Sequence, residues 1–212
     1  MAEEKGRRAH LIEELGKSFL KTNALKIGDF RTSTGTRTPY YIDLKTTISF
    51  PNALSLVVDC LQIQLEEIER KSRIDYLCGV PVTGLIFSSI LSHDKSKPMV
   101  YSSKEPSSHR LVGIMNPGAE VLIVDDVSET GKSMETAAMS IRANGGVVSN
   151  AMSLIDRMEG AKETLSSIGI TLHFFTTTHE LAMTLRDKLA LSEDEIELVD
   201  SASSQYSGAS QA

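Results

Sequence analysis

The sequence predicts an α/β fold: a largely parallel sheet with helices on both faces, preceded by a small unit of one helix and one hairpin. Three observations predict it. From residue 51 to 190 short apolar runs alternate with helical patterns, which is how a parallel sheet with crossover helices is written. The run Val121-Leu122-Ile123-Val124 is continuously apolar, as a strand buried on both faces is, and it leads through two aspartates and a polar loop into a helix. A second Gly-bounded loop, Gly79 to Gly84, follows another buried run, and loops at strand C-terminal ends are where such sheets bind ligands.

The 212 residues suffice for one sizeable domain, expected over 1–200, with the N-terminal unit at about 8–48 and the core at about 49–200. The Ser/Ala/Gln/Gly stretch 201–212 reads as a disordered tail. A net charge of −6 argues against a general nucleic-acid surface. No apolar run reaches the roughly 18 residues of a membrane span. Met1 to Arg8 is charged and leads into no apolar segment, so no signal peptide is expected. Cys60 and Cys78 sit in apolar contexts without metal-ligand spacing, as reduced core cysteines of a cytoplasmic protein do.

Taken in order, His10 to Lys21 carries Leu11, Ile12, Leu15, Phe19 and Leu20 at amphipathic spacing, and Asn23 or Gly28 ends the helix. Leu25 to Leu44 reads as a hairpin turning at Ser33-Thr34-Gly35-Thr36, and the adjacent Tyr40 and Tyr41 place one ring on each face of its second arm. Pro51 to Arg70 is a long helix with proline in its first turn. Ile74 to Val80 is a buried strand, Leu85 to Leu91 a helix, and Pro98 to Tyr101 a short strand. Ser102 to Arg110 is polar and reads as a mobile loop. Beyond the central strand, a helix from Met134 stops at Asn144-Gly145-Gly146. Val147 to Ile155 is a strand, Ala161 to Ile168 a helix, Ile170 to Phe175 a strand and His179 to Leu189 a helix. Ser192-Glu193-Asp194-Glu195 starts a last short helix to Val199 with a capping box.

The stretch Asp125-Asp126-Val127-Ser128-Glu129-Thr130-Gly131-Lys132-Ser133 carries the chemistry. A loop ending at a helix N-terminus offers free N–H groups and the positive end of the helix dipole, a seat for a phosphate. Thr130 and Ser133 add hydroxyls, and Gly131 lets the backbone come close. Asp125 and Asp126 suit vicinal hydroxyls or a hydrated Mg²⁺. A phosphate with a diol is a ribose 5-phosphate. Gly131-Lys132-Ser133 is not a P-loop, because Asp126 stands where that motif has its first glycine.

This stretch resembles the signature of type I phosphoribosyltransferases. The resemblance implies that Asp125 and Asp126 hold the ribose of phosphoribosyl pyrophosphate (PRPP), that Val127 to Ser133 cradle its 5-phosphate, and that Val82 and Thr83 belong to the pyrophosphate loop. The run Gly28-Asp29-Phe30 through Thr38-Pro39-Tyr40-Tyr41 resembles the N-terminal hood of orotate phosphoribosyltransferases, and Asp156-Arg157-Met158-Glu159-Gly160 resembles their orotate-binding turn. Arg157 is then the anchor for the orotate carboxylate, with Tyr40, Tyr41 and Glu129 bordering the ring. Lys104, Glu105 and His109 match the family's mobile catalytic loop, which commonly serves the neighbouring subunit. The sequence departs from the pattern at Ser107 and Ser103, where the family has basic residues, and at Ser33, where it often has lysine. The implied reaction joins orotate and PRPP into orotidine 5′-monophosphate and pyrophosphate, with Mg²⁺, in a cytoplasmic homodimer. Two alternatives stay open. Glu129 is of a kind with purine phosphoribosyltransferases, and the loop serines suit a non-catalytic PRPP-binding protein.

Overall fold

In the computed structural model of the protein, residues 2–31, 37–103, 111–188 and 194 are described. The chain divides into two units, residues 1–56 with 178–212, and residues 57–177.

The first unit begins with α1 (Ala2–Lys21), which buries Ile12, Leu15 and Phe19. The helix starts eight residues earlier than its apolar spacing suggested. Residues 2–9 are mostly Ala, Glu, Lys and Arg, strong helix formers without an apolar stripe. Asn23, in the left-handed region at φ 57°, turns the chain out of the helix. Strands β1 (Leu25–Arg31) and β2 (Arg37–Ile42) then pair antiparallel, with Ile27 opposite Tyr40 and Lys26 opposite Tyr41. The turn residues 32–36, Ser33 among them, lie outside the described residues. Alternation works as expected at the tyrosines: Tyr40 is buried, while Tyr41 is exposed and tilts against Phe30 with ring centroids 5.7 Å apart. Asp43 caps a short 3₁₀ turn, Leu44–Ser49, by accepting the Lys45 N–H. Helix α2 (Pro51–Glu69) runs from this unit into the next.

The second unit is the sheet. Its strands are β3 (Tyr76–Gly79), β4 (Met99–Ser102), β5 (Leu111–Val112), β6 (Glu120–Ser128), β7 (Val147–Asp156) and β8 (Thr171–Thr177), in the order β5-β4-β3-β6-β7-β8. All neighbours are parallel except β4 and β5. Helices α3 (Thr83–Asp94), α4 (Lys132–Ala143) and α5 (Ala161–Ser167) connect them. Val121 and Ile123 pack into a cluster with Met134, Ala138, Ile141 and Leu165. Leu122 and Val124 alternate to the other side and are equally buried, so β6 is covered on both faces as its composition requires.

Two strands differ from expectation. β6 does not stop at Val124 but continues through both aspartates to Ser128, because β7 keeps pairing with it as far as Ser128 opposite Asp156. The two-residue β5 was not anticipated; it exists only as the antiparallel partner of Tyr101 and Ser102. In the first unit, α6 (Thr178–Lys188) packs on α1 so closely that a Cβ on Gly16 would lie 2.6 Å from the Leu185 side chain. The helix expected over 192–199 lies outside the described residues except for helical Asp194, and the tail 201–212 lies wholly outside them.

Leu122→Ala is expected to cost about 2–5 kcal/mol, since Leu122 is fully buried in the middle of the sheet. Ile114→Ala, at a side chain 89% exposed, is expected to stay within about 0.5 kcal/mol of the parent. Denaturant midpoints of the two variants check the contrast.

Candidate functional site

The site forms where β6 outlasts one of its neighbours. β3 pairs with β6 only as far as Gly79 opposite Val124, so Asp125 to Ser128 continue with β7 alone on one side. The β3–α3 loop occupies the space β3 vacates. Val80 N–H donates to Val124 O at 2.9 Å, and Gly84 lies so close that a Cβ there would meet Val124 O at 2.5 Å and Asp125 Cα at 2.8 Å. This brings the expected pyrophosphate loop directly against the first aspartate. Within it Val82 is half exposed and Thr83 is buried.

A cleft of about 120 Å³ opens beyond, lined by Asp125, Val127, Ser128, Glu129, Thr130, Gly131, Lys132, Ser133 and Met134. Gly131 is the N-cap of α4 at φ 79°, and no side chain caps the helix there. The first-turn N–H groups are thus not taken by a capping side chain. Glycine is required twice over at this position: by its left-handed backbone, and by Ala161 and Thr164, which a Cβ would meet at 3.1–3.2 Å.

The two aspartates behave differently. Asp125 is buried, and its Oδ1 accepts the Asp126 N–H at 2.9 Å. Burial pushes its carboxyl well above the usual carboxylate range, and the Asp126 charge pushes the same way. Asp126 is more open to solvent. Ser128 lines the cleft, but its hydroxyl is turned inward, 3.0 Å from Ser153 Oγ and donating to Asp156 Oδ1 at 3.0 Å. Asp156 Oδ1 also accepts the N–H of Met158, which sits at φ 60°. Asp156 therefore shapes the turn that carries Arg157, while Arg157 N–H donates to Ser128 O at 2.9 Å. Burial raises the Asp156 carboxyl against these hydrogen bonds.

Arg157, only 12% exposed, is held by two carboxylates of its own chain. Its Nη1 donates to Glu129 Oε1 at 2.9 Å; its Nε and Nη2 both reach Glu159 Oε1 at 3.0 Å. Glu159 Oε2 is buried without a partner among the described residues, and burial raises this carboxyl although Arg157 opposes the shift. The structure thus brings together Asp125 to Ser133, Val82, Thr83 and Arg157. Tyr40 and Tyr41 belong to the other unit. Lys104 and His109, with Glu105, Ser107 and Arg110, lie outside the described residues. Sequence reasoning had no role for Asp156, Ser153 or Glu159. Asp156 and Glu159 stand beside Arg157 in the same run, so their nearness was legible; Ser153 carries no local signal at all.

No family model matches the chain. Among curated proteins it is 38% identical over 174 residues to an orotate phosphoribosyltransferase of Cenarchaeum symbiosum, covering 79% of this chain and 86% of that one. It is 36% identical over 165 residues to that of Staphylothermus marinus, covering 76% and 79%. Among solved structures, an orotate phosphoribosyltransferase of Aeropyrum pernix superposes with a TM-score of 0.74 at 31% identity, over 81% of this chain and 98% of that one. A UMP synthase of Leishmania donovani superposes with a TM-score of 0.79 at 26% identity, over 91% of this chain and 42% of the longer one.

Gly131→Ala is expected to destabilise more than Gly118→Ala. Both residues have similar positive φ, worth about 1–2 kcal/mol against alanine, but only Gly131 has neighbours within 4 Å of the added Cβ. Thermal unfolding of the two variants reads the difference. At Asp156, the raised folded-state value means stability that is complete below the usual carboxylate range and lost as pH rises through it. Asp156→Asn keeps the acceptor and never ionises, so it is expected to overtake the parent as pH rises. Asp156→Ala strips the acceptor from Met158 N–H and is expected to lose about 1–3 kcal/mol. Urea titrations across pH check both.

Proposed function

The chain belongs to the orotate phosphoribosyltransferase family, and from that premise we propose how its residues divide the reaction. The enzyme transfers the phosphoribosyl group of PRPP to orotate, giving orotidine 5′-monophosphate and pyrophosphate, a step of pyrimidine biosynthesis. The C1–pyrophosphate bond breaks with its electron pair on the leaving oxygen, and a ring nitrogen of orotate forms the new bond to C1. Charge moves from an anionic base to an anionic leaving group, so positioning and fixed charge can carry the catalysis.

In this reading the N–H groups at the start of α4, with Thr130 and Ser133, hold the 5-phosphate. Asp125 and Asp126 accept hydrogen bonds from the ribose hydroxyls, and the Val82-Thr83 loop receives the pyrophosphate. Arg157 takes the orotate carboxylate, and Tyr40 and Tyr41 border the ring. Lys104 and His109 offset charge on the leaving group. The observation that carries the assignment is the junction of β6 and β7, where Arg157 N–H bonds Ser128 O, so the base anchor and the phosphate seat share one fixed backbone contact.

Two adjacent acids at the cleft fit Mg²⁺, which needs only one or two carboxylates beside substrate oxygens and water. Among the described residues no cluster of three or more His, Cys, Asp or Glu could hold a metal unaided, which suits an ion arriving with PRPP. Burial of Asp125 beside Asp126 leaves two acids whose mutual repulsion a cation or hydroxyl donors relieve. When bound, Mg²⁺ would neutralise pyrophosphate charge. The reading includes a cytoplasmic homodimer, with the Lys104–His109 loop serving the neighbouring subunit. The buried free thiols of Cys60 and Cys78 suit a reducing compartment, and no helix among the described residues is long and apolar enough to cross a membrane. Glu129 bonds Arg157, which supports an anion-binding pocket over a purine site needing that carboxylate for proton transfer.

Arg157→Ala is expected to cost about 2–5 kcal/mol in kcat/KM for orotate, the penalty of removing one partner from a desolvated charge pair. Steady-state assays with PRPP and Mg²⁺, offering orotate, uracil, hypoxanthine and adenine in parallel, check it. Turnover of a purine in preference to orotate would overturn the substrate assignment.

A further inference from the structure

Arg157 is already occupied. Glu129 and Glu159 both contact its guanidinium within 3.0 Å, so a substrate carboxylate would be the third around a single positive charge. Such a cluster would hold a net charge of about −2 beside a group only 12% exposed, and like charges at that distance repel strongly. One of the two resident carboxylates has to yield.

The two are not equivalent. Glu159 lies two residues from Arg157 on the same turn, is 17% exposed, and meets both Nε and Nη2. Glu129 comes from the other strand's loop, is 36% exposed, and meets the guanidinium at Nη1. Turning Glu129 away opens Nη1 and leaves the arginine held in place by Glu159. It also needs no backbone movement, because the link between the two loops is made by Ser128 O and Arg157 N–H rather than by the Glu129 side chain.

We propose that Glu129 is a resident competitor that sets the affinity of Arg157 for orotate: in the substrate-free enzyme its carboxylate sits where the orotate carboxylate must bind, and orotate binds by displacing it. The proposal rests on Arg157 being the carboxylate anchor. Two consequences follow from the exchange. Arg157 keeps a carboxylate on Nη1 between turnovers, beside the one that Glu159 places on Nε and Nη2. Orotate also loses part of its binding free energy in evicting Glu129, so affinity is sacrificed while a base without a carboxylate gains nothing from the anchor.

Isothermal titration with orotate and with uracil, together with KM and kcat for orotate at saturating PRPP and Mg²⁺, tests the exchange. Glu129→Gln and Glu129→Thr both remove the competing charge. Each is expected to tighten orotate roughly twofold to fivefold, the range of a partly exposed ion pair, and to leave uracil unchanged. The KM for orotate should fall with it. In Arg157→Ala the same substitutions should give a smaller gain, since the contested ion pair is gone and only the like-charge repulsion between Glu129 and orotate is relieved. Unchanged or weaker orotate binding in both Glu129 variants, with Arg157→Ala still weakening it, overturns the competition and leaves the anchor intact. Equal tightening of uracil also overturns it, because that signals a general loosening of the pocket. Orotate binding that is indifferent to Arg157→Ala instead overturns the anchor itself.

Discussion

Everything at the site hangs on the pairing of β6 with β7 at its far end. Ser128 opposite Asp156 is the last rung of the ladder, and both residues use their side chains as well as their backbones there. The Ser128 hydroxyl reaches Ser153 and Asp156, the Ser128 carbonyl takes the N–H of Arg157, and Asp156 fixes Met158 in a left-handed conformation. One buried junction thereby orients two functional turns that leave the sheet in different directions. The turn after β6 leads to the uncapped N-terminus of α4; the turn after β7 presents a guanidinium. A one-residue slip between these strands would send the Ser128 hydroxyl to the opposite face and uncouple them.

The electrostatics follow from that junction. A chain of net charge −6 is predicted to bind polyanionic substrates, and among the described residues lining the cleft the basic side chain is Lys132. The cleft also uses backbone N–H groups at a helix N-terminus, which carry partial positive charge without the entropy of long side chains. Most of the carboxylates nearby have a partner: Asp125 takes the Asp126 N–H, Asp156 takes Ser128 and Met158, and Glu129 and Glu159 meet Arg157. In the substrate-free state these acids are thus quenched locally rather than by net charge.

What could be read from the sequence is what is local. The stretch from Asp125 to Ser133 carries acids, glycine and hydroxyls within nine consecutive residues, so the loop that lines the cleft was legible before any folding. The opposite faces of Tyr40 and Tyr41 followed from the two-residue period of a strand. The helices followed where an apolar stripe marked them, and the first eight residues of α1 were missed because they have none. What depends on pairing was not legible. β6 extends past Val124 only because β7 continues beside it, β5 exists only because β4 offers an edge, and the role of Ser153 appears only once the register places it beside Ser128. Gly84 was visible as part of a loop, but the reason for glycine, the backbone of β6 at 2.5 Å, comes from a strand forty residues away in sequence.

Glu129 joins the two kinds of information. From composition alone a carboxylate next to an orotate carboxylate looks like a defect, or like a sign of another substrate. Its pairing with Arg157 changes the argument, because the relevant comparison is no longer between Glu129 and empty space but between two carboxylates for one guanidinium. A neutral residue in its place would leave Arg157 with Glu159 alone and Nη1 unsatisfied beside the cleft. The acid is therefore compatible with an anion-binding site provided it can leave, and its greater exposure than Glu159 is what allows that. The anchor's contribution to orotate binding then becomes a difference between two ion pairs, and the preference for orotate over bases that bring no carboxylate is reduced by the same cost of eviction.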